Sequence, residues 1–387
     1  LGKAIADGNI VILDYINCNR DGPNGASSFT LSGTIGGFSS ATITTDSNAT
    51  GGTGLESISS IKYNAPRDYT AQDRAVTSED YKVLVKSLYA NAQSVQVYGG
   101  EDAETPDYGK VYISIKSKSG SNLTVTTKES LVTSLKQYAV ASVTPVIIDP
   151  ETTYITLVVG FKYNNGITTK DVTTLQTNVL SKVATYNNNT LEDFTGMFRY
   201  SQLIEDINGA DTSILSNITT VKMYKYFTPT LNSAVKYTLS FNNALYNPHS
   251  GHNASAGGII SSTGFKINDD SSASEHFLDD DGAGNLRAYY LSGTTRVYTD
   301  STYGTVNYTT GEVVLTSAHL TSISNVDGAT STRVRVFAIP SSNDIVPVRN
   351  QVLSIDTSNS TITGEVDAIV SGSSQAGTSY TTTSSYS

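Results

Sequence analysis

The sequence predicts an α+β multidomain chain. A strand-rich segment spans 1–65 and a mixed α/β domain spans 66–230. An all-β, sandwich-like domain follows at 231–375, and a polar tail closes the chain at 376–387. Three observations carry this reading. The 387 residues exceed what one hydrophobic core usually serves. Helical periodicity is confined to the middle of the chain. The composition combines strand formers with turn formers, including 24 Tyr and 31 Gly but no Trp.

The elements follow in order. "GNIVILDYINC" ends at Cys18 and reads as a short buried strand. The turn pairs Asp21-Gly22 and Asn24-Gly25 follow it. "TLSGTIGGFSSATITT" alternates in the manner of a strand, and "NATGGTGLES" reads as a loop. Pro66 biases Ala65 toward an extended conformation, so Pro66 to Arg74 reads as an extended connector. Thr77 then has the position of a helix N-cap, with Asp80 three residues on in a capping-box pattern. Val76 and Tyr81 stand where a hydrophobic staple would place them. Tyr81, Leu84, Val85 and Leu88 share one helical face.

The strands "SVQVY" and "KVYISIKS" come next, close enough in sequence to be hairpin neighbours. "TKESLVTSLKQYAV" is a second helix with Leu131, Leu135 and Tyr138 on one side. Two strands, "SVTPVIIDP" and "TYITLVVGFKYN", lead to a third helix carrying Val172, Leu175, Val179 and Val183 in phase. A shorter helix ends at Gly209, and "SILSNITTVKMYKYFTP" returns as a strand. Beyond Pro229 helical periodicity disappears. Short strands alternate with turns, the pattern of a sandwich or barrel.

Charge and composition exclude several classes. A net charge of -10 repels a phosphate backbone and no basic patch offsets it, so no nucleic-acid partner is expected. No apolar run reaches membrane-spanning length. The single Cys18 cannot form an internal disulfide, and no Cys/His array suggests zinc. The start at Leu1 reads as a trimmed N-terminus or a fragment of a longer chain. A folded protein made in the cytosol is the default expectation.

Candidate chemistry is sparse. Asp68 and Asp73 lack a neighbouring nucleophile or base, so no catalytic residue is assigned. Pro66, Arg67, Tyr69 and Arg74 are instead candidate interface residues, because Arg and Tyr are enriched at interface hot spots. Asp279, Asp281 and Asn285 in "FLDDDGAGN" resemble a calcium loop in spacing. The glutamate that such a loop needs at its twelfth position is Tyr290 here, so a hairpin turn with water-exposed acids is the better reading. His249 and His252 sit in a Pro- and Gly-bounded loop, and no metal site is assigned. Gly51 to Gly54 lacks the following Lys-Ser/Thr of a phosphate loop. No cofactor is called for.

Four segments resemble the baseplate J-like family of contractile-tail phages, and within it the wedge proteins of T-even-type phages. They are "GKAIADGNIVILDYINCNRDGPNGASSF", the stretch from Ala65 to Ser117, "VTPVIIDPETTYITLVVGFKYN" and "FLDDDGAGNLRAYYL…YGTVNYTTGEVVL". The second is the most specific. Ala65, Pro66, Arg74, Val76, Thr77, Asp80, Tyr81, Gly99, Gly100, Gly109 and Val111 follow the family order. Family members carry a substantial region before the first of these segments, and it is missing here. The resemblance implies a non-enzymatic virion component of the tail baseplate, assembled in the host bacterial cytoplasm. It implies a homodimer that contacts other wedge proteins, links neighbouring wedges into a ring around the hub, and holds the ring together through contraction. A second reading, a glycan-binding or glycan-degrading tail protein, rests on the Tyr-rich region after 231. It requires an exposed aromatic face flanked by paired carboxylates.

Overall fold

The computed structural model describes residues 54–368, apart from 104, 119–121, 253–257, 269, 271–273 and 327, with scattered positions between 19 and 52. Cys18, most of the expected strand-rich segment and the tail at 376–387 lie outside the described residues. The chain forms two compact units, Leu1–Asp149 and Pro150–Ser387. That division falls inside the stretch 66–230 expected as one domain. The reason is long-range pairing: strands just after Pro150 take their partners from the last third of the chain.

In the first unit, helix α1 (Ile58–Ala71) begins at the N-cap Ser57, whose Oγ accepts from Ser60 N at 3.2 Å. It runs through Pro66, where the sequence led us to expect extended chain. A proline inside a helix removes one backbone bond and costs about 3 kcal/mol. Side chains support the backbone around it. Arg67 Nη1 donates to Tyr63 O at 2.7 Å, and Thr70 Oγ1 donates to Pro66 O at 3.0 Å. Pro66 is itself exposed, so its ring meets water rather than a packed neighbour. Gln72 and Asp73, both left-handed at φ 53° and 56°, end the helix.

Helix α2 (Ser78–Leu88) starts in the expected capping box. Thr77 Oγ1 accepts from Asp80 N at 3.3 Å, and Asp80 Oδ2 accepts from Thr77 N at 2.8 Å. Such a cap contributes about 1 kcal/mol. The staple does not form, because Val76 stays 65% exposed while Tyr81 is buried. Strands β1 (Ala92–Gly99) and β2 (Lys110–Ser117) pair antiparallel, as expected of hairpin neighbours. Helix α3 (Val125–Lys136) then crosses to β3 (Thr144–Ile148), which lies parallel to β2. The core of this unit joins Tyr81, Leu84 and Val85 of α2, Ile113 and Ile115 of β2, and Leu131 and Leu135 of α3.

The second unit opens with β4 (Glu151–Tyr163), followed by α4 (Val172–Tyr186), a π-helical turn (Asn187–Leu191), α5 (Tyr200–Asn208) and β5 (Ile214–Phe227). Strands β4 and β5 are antiparallel and form the centre of a sheet. Alternation turns Ile155, Leu157, Val159 and Phe161 inward, onto Leu175, Val179 and Val183 of α4. The opposite face carries Tyr154, Tyr224 and Tyr226, which pack on one another with ring centroids 5.0 to 5.3 Å apart.

After β6 (Ala234–Ser240), the strands divide between two sheets. β7 (Ile260–Ser262) and β13 (Val334–Ala338) extend the β4–β5 sheet beyond β5. β14 (Gln351–Ile355) and β15 (Thr361–Val366) lie end to end and parallel along the other edge of β4. The remaining strands are β8 (Phe265–Ile267), β9 (His276–Asp280), β10 (Asn285–Ser292), β11 (Thr295–Asn307) and β12 (Glu312–Ile323). They follow the order β11-β10-β9-β8-β12, and β11 also pairs with β12, so the sheet closes on itself. The expected sandwich-like domain is therefore a small closed barrel, with β6 added along β12 and other strands given up to the β4–β5 sheet. β11 opposes β10 along most of its length, with irregular register, and pairs along its other edge with β12 at its end.

One surface tie makes the unit acid-sensitive. Asp211, just before β5, accepts from Lys170 Nζ and from the Ser213 backbone N and Oγ. The Lys170 ammonium, chiefly, and the Ser213 donors lower its pKa from 3.8 to about 2. A carboxyl depressed on folding contributes stability above its unfolded pKa, and that stability is lost as pH falls through the folded value. Thermal melts between pH 6 and 2 will therefore show a decline setting in near pH 4, and Asp211→Asn will make that decline shallower.

Candidate functional site

Of the four candidate interface residues, three lie on α1. Pro66 and Tyr69 are three residues apart and share a side of the helix. Both are exposed, Tyr69 by 79%. Arg67 points elsewhere, with its guanidinium carbon 3.6 Å from the Tyr63 ring centroid. Arg74 lies beyond the left-handed pair that ends α1; against the upward push of burial, the Thr77 and Val76 donors hold the Asp80 carboxyl low, and the Arg74 charge adds the least of these contributions. The structure thus places Pro66 with Tyr69 and separates both from Arg67 and Arg74.

The surface around them is unusual for its exposed apolar side chains. Leu55, Ile58, Ile61 and Tyr63 are exposed along with Tyr69, and Ala71 is the one buried residue of α1. The sequence reading missed this stripe because it took Pro66 as a stop. The i, i+3, i+7 and i+11 spacing of Ile58, Ile61, Ala65 and Tyr69 was the signal that marks it.

The acidic turn is a structural device. β9 and β10 form a hairpin through Asp281–Gly284, as the sequence led us to expect. Asp281 Oδ1 accepts from Ala283 N and Asn285 N at 2.8 and 2.9 Å, closing the turn. The two preceding acids are buried rather than exposed to water, which corrects the sequence reading. Asp279 accepts from Arg287 Nε and Arg296 Nη1, both at 2.8 Å, and from Tyr298 OH at 2.9 Å. Asp280 accepts from Ile260 N, Gly282 N and Tyr308 OH, tying β7 to the barrel. Burial, and then the bond to Asp280, push the Tyr308 hydroxyl pKa up. Their oxygens are engaged by protein donors, which is why these carboxylates tolerate burial.

His252 Nδ1 lies 3.1 Å from His249 Nε2, beside Tyr246. Among the described residues no group of three or more His, Cys, Asp or Glu side chains could hold a metal ion. Tyr246 is also the one exposed tyrosine among the described residues after 231. The others are at least partly packed, several of them against neighbouring rings or arginines, as Tyr289 is on Tyr298 and Arg296. The flat aromatic face that the glycan reading requires is not formed by these residues.

Comparison with known proteins bears on the two units separately. Residues 77–148 match the family model of the baseplate structural protein gp6, C-terminal domain I. Residues 151–226 match that of the same protein's C-terminal domain III. The chain is 27% identical over 238 residues to baseplate wedge protein gp6 of Enterobacteria phage T4, covering 59% of this chain. It spans only 36% of that relative's length. A solved baseplate of the anti-feeding prophage aligns with 44% of this chain and 39% of its own at 14% identity. Its TM-score of 0.31 is too low to bear on the fold. Residues 77–226 are therefore similar, over two consecutive segments, to C-terminal domains of a phage baseplate structural protein.

Proposed function

We propose that this chain is a structural wedge component of a contractile-tail baseplate, of the broader baseplate J-like kind, and that it performs no catalysis. It is made in the host bacterial cytoplasm and built into the virion. There it dimerises, binds other wedge proteins, and links neighbouring wedges into a ring that persists through contraction. The observation that carries this reading is the order of the two family matches. They run back to back, 77–148 and then 151–226, and their junction coincides with the boundary between the two compact units at Asp149 and Pro150. A chance likeness has no reason to respect a structural boundary. Pro66, Tyr69, Arg67 and Arg74 are proposed as partner contacts, Pro66 and Tyr69 acting together from one side of α1.

Immunogold electron microscopy of intact tails with an antibody against this chain tests the reading. Label confined to the plate at the tail end is the expected result. Label along fibres, or none on the particle, overturns it.

A further inference from the structure

Between α1 and the α2–β1 corner lies a groove of about 360 Å³. The buried Val83 and Ala92 lie in it beside the polar Ser87 and Gln93. Ile61 and Ala65 of α1 form one wall, both of them exposed. The α1 side also carries two acids, Glu56 and Asp68, and the opposite side carries two bases, Lys86 and Lys118. A cavity of this size fits one or two bulky side chains. The exposed stripe Ile58, Ile61, Ala65 and Tyr69 runs beside it for nearly the length of α1.

We infer that this groove is the docking site for an amphipathic helix of another protein. The partner helix lies along α1, inserts a large apolar anchor between Ile61 and Val83, and carries basic residues on one flank and acidic residues on the other. Charge complementarity selects this occupant. A helix of a single sign would meet repulsion from one wall, whereas a helix with split flanks satisfies both. The flanks also fix its direction, because turning it end for end places like charges together. α1 supports the same conclusion. With one buried residue and a proline in its middle, α1 is lightly packed, and its apolar stripe stands exposed along the side an added helix would cover. The inference does not depend on the baseplate reading.

The test uses the full chain and a designed fluorescent peptide of about five helical turns. The peptide has a Leu/Trp stripe at i, i+3, i+4 and i+7, with Lys on one flank and Glu on the other. Binding is read by anisotropy. We expect saturable binding that weakens about tenfold with Ala65→Arg or Ile61→Asp. Peptides with a serine stripe, or with all-Lys or all-Glu flanks, will bind more weakly. Both positions are exposed, so an unchanged melting curve will confirm that the variants fold. Equal affinity for the variants, equal affinity for the single-sign peptides, or no binding overturns the inference. So does sedimentation showing self-association that Ile61→Asp abolishes, since the occupant would then be a second copy of this chain.

Discussion

Replacing Asp279 with asparagine will lower the melting temperature of the second unit by about 10 °C. Asp279 is 1% exposed and receives two arginines and a tyrosine. Arg287, its register partner across the hairpin, is itself buried at 8% exposure. An amide keeps the shape of the acid but loses the charge, leaving the Arg287 guanidinium uncompensated. Breaking one side of a buried pair costs about 3–5 kcal/mol. In a unit of this size each kcal/mol shifts the midpoint by about 2–4 °C. Calorimetry resolving the two units should show the loss in the second transition, with the first unchanged. The double replacement Asp279→Asn with Arg287→Met should recover part of the loss, since removing both charges leaves no orphan. A midpoint that barely moves in the single variant would mean that water reaches the pair.

Phe161→Ala will be similarly costly, through packing rather than charge. Phe161 is 1% exposed and projects from β4 toward α4. Its register partner on β15 is Gly364, where an added Cβ would come within 2.5 Å of the Phe161 ring and 2.9 Å of Val172. The ring thus fills the space the glycine leaves, and three elements close on it. Truncation to alanine removes those contacts and leaves a cavity, for about 3–5 kcal/mol. Gly364→Ala will destabilise the same spot by overpacking. Added to Phe161→Ala, it should be less harmful than in the native chain, because the space is then vacant. Denaturant unfolding of the four chains of this cycle measures the coupling. Simple additivity would show that Gly364 and Phe161 do not share the space.

What the sequence made legible was local. The cap at Thr77 and Asp80 and the in-phase apolar residues of α2 and α4 depend on neighbours within a few residues, and β1 and β2 are consecutive strands joined by one connection. Three features escaped because their causes are distant or additive. α1 passes Pro66 against a rule that considers Pro66 alone, and the Arg67 and Thr70 side chains bond carbonyls within the same turn, at Tyr63 and at Pro66 itself. The boundary at Asp149 was hidden because β5 finds β13 more than a hundred residues later. The barrel closes through β11 and β12, a pairing that no single strand announces. The buried acid was within reach. Folding the hairpin about Asp281–Gly284 sets Asp279 opposite Arg287, and an opposed acid and base on adjacent strands signal a pair.

The parallel seating of β14 and β15 on β4 has a consequence during synthesis. Leu157 N bonds Ser360 Oγ across 203 residues, and the whole β14–β15 edge is made of such late partners. At ribosomal speeds β4 waits roughly 10–40 s between emerging and being covered. Through that interval an apolar strand presents an open edge, the condition under which nascent chains pair with the wrong neighbour. The first unit has all its strands by Ile148 and faces no such delay. Production of the second unit is thus the step at which a chaperone bound to the waiting strand will raise the yield of native chain, and at which slowed translation, by lengthening the wait, will lower it.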